Sequence, residues 1–273
     1  MKHDLQKCFS YSALRPFRRS FMDGMPILAY HKLGALPSGA KMRNLYVGEK
    51  LFAWQLGELH RAGFATRSLN SWHKNSRPHR RRVILTFDDG SRTVFRNALP
   101  VLARYEIRTI QFLVADAIGG TNHWDVRRRG EVPDPLMGVP EVRDWLSAGQ
   151  EIGSHTLSHV NLTAIPEAQA KEEINASKKK LEDLFGVAID HFCYPYGKWS
   201  RRVRDLVEGA GYTTAVTFDF GVNTKTRDPF ALRRIGAKHP SCSIRNLAAL
   251  LPTGFPLQFF WQARSPIAIR ALN

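Results

Sequence analysis

Val83-Ile84-Leu85-Thr86-Phe87-Asp88-Asp89-Gly90-Ser91 is a short apolar run that stops on two carboxylates and a glycine. The run reads as a buried strand, so Asp88, Asp89 and Gly90 fall where the strand ends and a loop begins. That end of a strand is where α/β enzymes place their chemistry. Side chains alternate along extended backbone, so the two aspartates point in different directions: one can ligate a metal while the other faces a substrate as a base. Further along, Glu151-Ile152-Gly153-Ser154 reads as a second short strand with His155 and His159 just past its end. Two histidines at that spacing reach one metal ion if the stretch between them turns. An aspartate and two histidines leave coordination positions for water and a substrate oxygen, whereas a closed structural site takes four protein ligands. Either segment alone is as readily a plain turn, with the histidines serving as a helix cap and a surface residue; the two together favour a site.

The rest of the chain alternates helical patterns with short apolar runs. Phe52, Leu56 and Leu59 sit at helical spacing before Gly63, and Leu99 and Leu102 precede the strand-like Thr109-Ile110-Gln111-Phe112-Leu113-Val114. Pro140 opens a helix carrying Val142 and Leu146 that stops at Gly149. Ile174, Leu181, Leu184 and Phe185 form an apolar stripe ended by Gly186; Phe192 to Tyr194 is extended, and Ser200 caps a helix bearing Val203 and Val207. Repeated βα units predict an α/β fold built on a parallel barrel or sheet. With 273 residues and 43% hydrophobic content the chain can bury one large core, and nothing in its middle reads as a linker. The organisation expected is an N-terminal extension over 1–24, a catalytic domain over 25–245 and a C-terminal extension over 246–273.

From Pro26 to Ile235 the sequence resembles the polysaccharide deacetylases of carbohydrate esterase family four. The residues that carry the resemblance are Thr86-Phe87-Asp88-Asp89-Gly90, His155-Thr156-Leu157-Ser158-His159, Tyr194-Pro195-Tyr196-Gly197 and the early Tyr30-His31, in the family's order. The resemblance implies a distorted (β/α)7-type barrel. It also implies that Asp88 is the general base and that Asp89, His155 and His159 hold a divalent metal, usually zinc. The backbone N–H of Tyr196, fixed by the Pro195 turn, is the implied oxyanion donor.

Two departures bear on that transfer. Many members carry an arginine just ahead of the proline motif, where it orients the basic aspartate; here Asp190-His191-Phe192-Cys193-Tyr194 has none, so the base is expected to be tuned differently. Many also draw a general acid from a late Leu-x-His motif, and the late segment here offers only His239, behind a different pattern. In the branch with an early Tyr-His and a Tyr-Pro-Tyr-Gly, which resembles the exopolysaccharide deacetylases, the early histidine takes the acid role. His31 is therefore preferred, with His239 the weaker alternative.

Chemistry built from these groups is hydrolysis of an acyl group. A divalent cation lowers the pKa of water to about 7 and polarises a carbonyl, Asp88 takes a proton, and a departing amine needs a histidine acid. Phe87, Trp124, Tyr194, Tyr196 and Trp199 could offer flat faces to a sugar, although Phe87 reads better as core. The expected activity is removal of acetyl from an N-acetylated sugar of a glycan or glycan precursor. The alternatives are an O-acetyl esterase or deformylase on another sugar, or a catalytically silent glycan-binding domain, which the intact Asp88, Asp89, His155 and His159 argue against.

Three cysteines, Cys8, Cys193 and Cys242, are too few for a disulfide framework. Neither a secretory signal nor an apolar run long enough to span a membrane is read. A cytoplasmic location is expected, which leaves open a peripheral membrane contact and a lipid-linked or otherwise phosphate-bearing sugar as substrate. Lys and Arg number 40 against 24 Asp and Glu, a formal charge of +16, with basic runs at Arg80-Arg81-Arg82, Arg127-Arg128-Arg129 and Lys178-Lys179-Lys180. General basicity without a dedicated partner is the first reading of such a field, and an anionic membrane or a phosphate-bearing substrate the second; no nucleic-acid motif accompanies it, and the lysine run reads as a solvated helix face. The aromatic, proline-containing tail is expected to pack on the domain, with contact to a membrane interface as the sharper alternative.

Overall fold

A computed structural model describes residues 24–61, 63–71, 81–224 and 226–237. Both expected extensions, His239, Cys8 and Cys242 lie outside these residues. Among the described residues seven parallel strands close on themselves: β1 (Ile27–Tyr30), β5 (Arg82–Phe87), β6 (Ile110–Leu113), β7 (Glu151–Ser154), β8 (His191–Cys193), β9 (Thr214–Phe220) and β10 (Leu232–Gly236). Closure is made by β1, which pairs Leu28 with Leu85 of β5 on one side and with Ile235 of β10 on the other. The remaining strands are short: β2 (Lys32–Leu33) pairs β3 (Tyr46–Val47) outside the barrel, and β4 (Ala65–Thr66) pairs only the start of β5. The distorted (β/α)7-type barrel expected from the resemblance is the architecture observed.

Alternation along each strand separates two apolar layers. Ile27, Ile84, Ile110, Phe112, Cys193, Val216 and Leu232 fill one buried cluster, while the intervening Leu28, Tyr30, Leu85, Phe87 and Phe192 face the helices. Against that second layer lie α1 (Glu49–Arg61), α2 (Arg92–Arg104), α4 (Val139–Ser147), α5 (Glu167–Phe185) and α6 (Arg201–Gly209), with Phe52, Val94, Trp145, Ile174 and Val203 fully buried. A short α3 (His123–Arg129) interrupts the connection from β6 to β7. Helix starts follow the sequence signals. Ser91 caps α2 by accepting from Thr93 N, Glu141 accepts from Gly138 N at the head of α4, and Ser200 caps α6 by accepting from Val203 N. Phe87 is core, between Tyr30, Phe52 and Trp145.

The carboxyl ends of the strands converge on one rim. Asp88 N donates to Tyr30 O at 3.0 Å, and His155 N donates to Leu113 O at 2.8 Å, so the chain leaves β1, β5, β6 and β7 at one level. None of the described helices is long and apolar enough to cross a membrane.

Gly153, in the middle of β7, is fixed by packing: a Cβ there would stand 2.7 Å from the Phe112 ring and 2.8 Å from His191 O. Gly153→Ala is expected to lower stability by about 1–3 kcal/mol through overpacking. A denaturant midpoint equal to that of the wild type would contradict this packing.

Candidate active site

Asp88 and Asp89 adjoin in sequence and diverge in space. Asp88 continues the inward alternation of Ile84 and Thr86, whereas Asp89 takes a left-handed φ of 72° that turns its carboxylate away. Asp88 is gripped by Arg234 of β10: Nη1 donates to Oδ1 and Nη2 to Oδ2, both at 2.7 Å. The guanidinium has no exposed surface. Its other donors are also engaged, Nε by Thr217 O at 2.8 Å and Nη1 and Nη2 by Thr86 Oγ1 and Cys193 Sγ. Burial pushes the Asp88 carboxyl up, and the Arg234 charge and hydrogen bonds outweigh it, so the group sits below the usual carboxylate range. The stretch ahead of Pro195 indeed supplies no arginine to Asp88; the arginine comes from the last strand of the barrel instead. Gln111 Nε2 adds a bond to the Asp88 carbonyl at 3.1 Å.

Asp89 faces two imidazoles. Its Oδ1 lies 3.5 Å from His155 Nε2 and 3.3 Å from His159 Nε2, and all three side chains are buried. Ligand atoms about 2.0–2.1 Å from a tetrahedral zinc stand about 3.3–3.4 Å apart, so this triangle fits such an ion. His155 Nδ1 donates to Cys193 O at 2.7 Å, which turns Nε2 toward Asp89. Burial lowers the His155 pKa, and Cys193 and the Asp89 carboxylate outweigh it, so without an ion the ring is protonated and Nε2 donates to Asp89; a cation would take the place of that proton. Burial pushes the His159 imidazole down to about 4, the neutral form a ligand requires. Burial also raises Asp89, and hydrogen bonds from both histidines override it, holding the carboxyl well below its usual range.

The loop between the histidines is locked from α5. Glu173 accepts from Leu157 N at 3.0 Å and Ser158 N at 2.9 Å, and Thr156 Oγ1 accepts from His159 N at 2.9 Å. Six non-glycine residues among those described have positive φ, and four of them, Asp89, Thr156, His159 and Tyr196, surround this point. Such backbone persists where the surroundings over-determine it, and it gathers at functional sites.

A cleft of about 260 Å³ opens above these groups. His31, Asp88, Asp89, His155 and His159 line its base, Met42, Asn44 and Leu45 one wall, and Trp124, Asp125, Arg129, Tyr194, Tyr196, Gly197 and Phe218 the remainder. His31 Nε2 lies 3.7 Å from Asp88 Oδ2. Burial lowers the His31 pKa, and the Asp88 and Asp89 charges only partly restore it. Trp124 stacks on the His159 ring at 4.4 Å, and the Tyr196 ring meets His159 edge-on at 4.7 Å.

Of the expected substrate contacts, Tyr194 and Tyr196 line the cleft, whereas Pro195 and Trp199 do not. The Tyr194 side chain follows Phe192 to the helix side of β8, is buried and donates from its hydroxyl to Phe230 O at 2.9 Å. Pro195 is buried beneath the turn. Trp199 bonds Asp219 and lies outside the cleft. Arg234, Gln111 and Glu173 went unread in the sequence, and it is only in the folded strand that Leu232 and Arg234 are buried with Arg233 exposed between them.

A parallel barrel with a base-like aspartate and a potential Asp/His/His metal cradle at its carboxyl rim defines a hydrolase class. Residues 75–215, just over half of the chain, match the family model for polysaccharide deacetylase, and the chain belongs to that family. It is 23% identical over 210 residues to the poly-beta-1,6-N-acetyl-D-glucosamine N-deacetylase of Staphylococcus aureus, covering 72% of this chain and 70% of that one. The fold is shared with the Streptococcus pyogenes deacetylase PplD in complex with acetate, at a TM-score of 0.68 and 22% identity over 84% of this chain and 98% of the other. It is shared equally with IcaB from Ammonifex degensii, at a TM-score of 0.69 and 22% identity over 83% and 96%. The protein is accordingly a hydrolase of carbon–nitrogen bonds acting on carbohydrate.

Arg234→Met leaves a desolvated carboxylate without its cation and is expected to cost about 3–5 kcal/mol of stability at neutral pH. The sign with pH follows from the lowered Asp88 pKa: the pair stabilises above the unfolded carboxylate pKa near 3.9, and that contribution is lost as pH falls through the folded value. The gap between variant and wild type, followed by denaturant unfolding, is expected to narrow on acidification; a gap that stays constant or widens would contradict the assignment.

Proposed function

We propose that this chain is a metal-dependent N-deacetylase that removes acetyl from an N-acetylated sugar of a glycan or glycan precursor. The observation that carries the reading is the division of Asp88 and Asp89 between an arginine and a pair of imidazoles. One carboxylate is kept ionised and free of the metal triangle, and the other belongs to it. Asp89, His155 and His159 would hold the ion, and their nitrogen and oxygen donors suit zinc. A divalent cation there supplies Lewis-acid polarisation of the amide carbonyl and a more acidic water.

The chain's own groups then divide the proton work. Asp88, held anionic by Arg234, accepts a proton from the attacking water. The backbone N–H of Tyr196 donates to the developing oxyanion. An amine leaves only when protonated, and His31 delivers that proton. Because burial keeps His31 largely neutral, the proton it passes on is the one Asp88 collects across the 3.7 Å between them. A histidine so placed favours an amide over an O-acetyl ester, whose alkoxide leaves with less help.

Asp88→Asn is nearly isosteric but cannot take a proton. It is expected to retain the metal and lose acetate release from N-acetylglucosamine oligosaccharides, while Asp89→Asn loses both. Elemental analysis alongside an acetate assay decides it, and near-normal turnover in Asp88→Asn would remove the base assignment. For His31→Ala a loss of about a hundredfold to ten-thousandfold is expected on the amide. The loss should be much smaller on an activated acetate ester; equal losses on both would argue for a structural role.

A further inference from the structure

The basic runs of the sequence meet different fates. Lys178, Lys179 and Lys180 are paired, with Glu182 at 3.1 Å, Asp183 at 2.5 Å and Asp116 at 2.8 Å. Arg127, Arg128 and Arg129 form the last turn of α3, are exposed, and enter none of the salt bridges among the described residues. They are not scattered over the surface. Trp124 and Arg128 are one turn apart on α3, and while Trp124 lies flat on His159, the Arg128 guanidinium lies 4.9 Å from the centre of the Tyr196 ring. Arg129 lines the cleft itself. Lys41 adds a further cation, with Nζ 2.7 Å from where a Cβ on Gly130 would stand. Buried Glu131 accepts from Lys41 N at 3.0 Å and Met42 N at 2.5 Å, tying this stretch to the end of α3.

We infer that the substrate carries an anionic group, a phosphate or carboxylate, on or beside the sugar that is deacetylated, and that Arg128 and Arg129 receive it at the lip of the cleft. This rests on the deacetylase reading above and adds the substrate's charge to it. Cations at a helix C-terminus are favourable in themselves, but that does not require Arg129 to line the cleft and Arg128 to lie over the Tyr196 ring, which lines it too. A neutral glycan would bring nothing to match guanidinium groups on the cleft and on an aromatic ring that lines it, whereas a phosphate or carboxylate meets their planar donors two at a time. Asp88 and Asp89 lie at the base of the cleft, so the lip, not the base, takes the anion.

The test uses the full-length protein and one N-acetylglucosamine oligosaccharide in three forms: neutral, with a phosphodiester beside the acetylated residue, and with a hexuronate at the same place. A charge-assisted hydrogen bond is worth roughly tenfold to a hundredfold in affinity, and kcat/KM for at least one anionic form is expected to exceed that for the neutral form by this order. Which of the two gains identifies the anion. Arg129→Gln should reduce the ratio at least tenfold, Arg127→Gln should leave it unchanged, and high salt should shrink it in the wild type. Thermal unfolding of each variant separates loss of the anion contact from loss of fold. Calorimetric binding of the same three sugars to the wild type is measured alongside. If acetate is released with no preference among them, the inference is wrong and the deacetylase reading stands. If the anionic forms bind preferentially in an Arg129-dependent way and no acetate is released, the inference stands and the deacetylase reading fails.

Discussion

A guanidinium with no exposed surface, donating through two nitrogens to a buried carboxylate, is the interaction on which the top of this barrel depends. Taking two charges out of water costs several kcal/mol for each ion, and only good geometry with every remaining donor satisfied recovers it. The barrel meets that demand from four strands. Asp88 follows β5, which also supplies Thr86; Thr217 lies on β9, Cys193 ends β8, and Arg234 itself is on β10. Thr86 shows how tightly the arrangement closes: its hydroxyl receives Arg234 and donates to Leu28 O of β1 at 3.0 Å. The pairs that close the sheet therefore also hold the aspartate in one orientation.

The neighbouring carboxylate is governed by the opposite requirement. It needs freedom from Arg234 and proximity to the imidazoles, and positive φ at Asp89 gives both within one residue. Left-handed backbone at Asp89, Thr156, His159 and Tyr196 is tolerated because Glu173, Thr156 and Gln111 fix the loops through hydrogen bonds. Packing does the rest, as at Gly197, where a Cβ would fall 2.2 Å from that of Phe218. Rigidity of this kind keeps Asp88, Asp89, His155 and His159 at fixed separations.

Much of this was legible in the sequence, and the limits have physical causes. The apolar run into Asp88-Asp89, the short strand into His155, the cap at Ser200 and the stop at Gly186 are local signals, and the strands and helices follow them. Arg234 was not legible, because a pair of arginines in a short late segment reads as surface until closure brings β10 beside β1. Its partner Asp88 is 146 residues away. Glu173 looked like one more solvated acid on a charged helix, since its role lies in backbone N–H groups that carry no side-chain signature. Trp199 was misplaced for a more local reason: its aromatic character drew it toward the substrate, whereas its indole bonds Asp219 away from the cleft.

Everything proposed for the site converges on an ion between Asp89, His155 and His159. The most direct measurement is acetate release from an N-acetylglucosamine oligosaccharide by protein stripped with a chelator and then titrated with zinc. Activity is expected to vanish on stripping and to return in proportion to the ion added, saturating at about one equivalent for a single three-ligand site. Undiminished acetate release from protein shown by elemental analysis to be free of divalent metal would contradict the account.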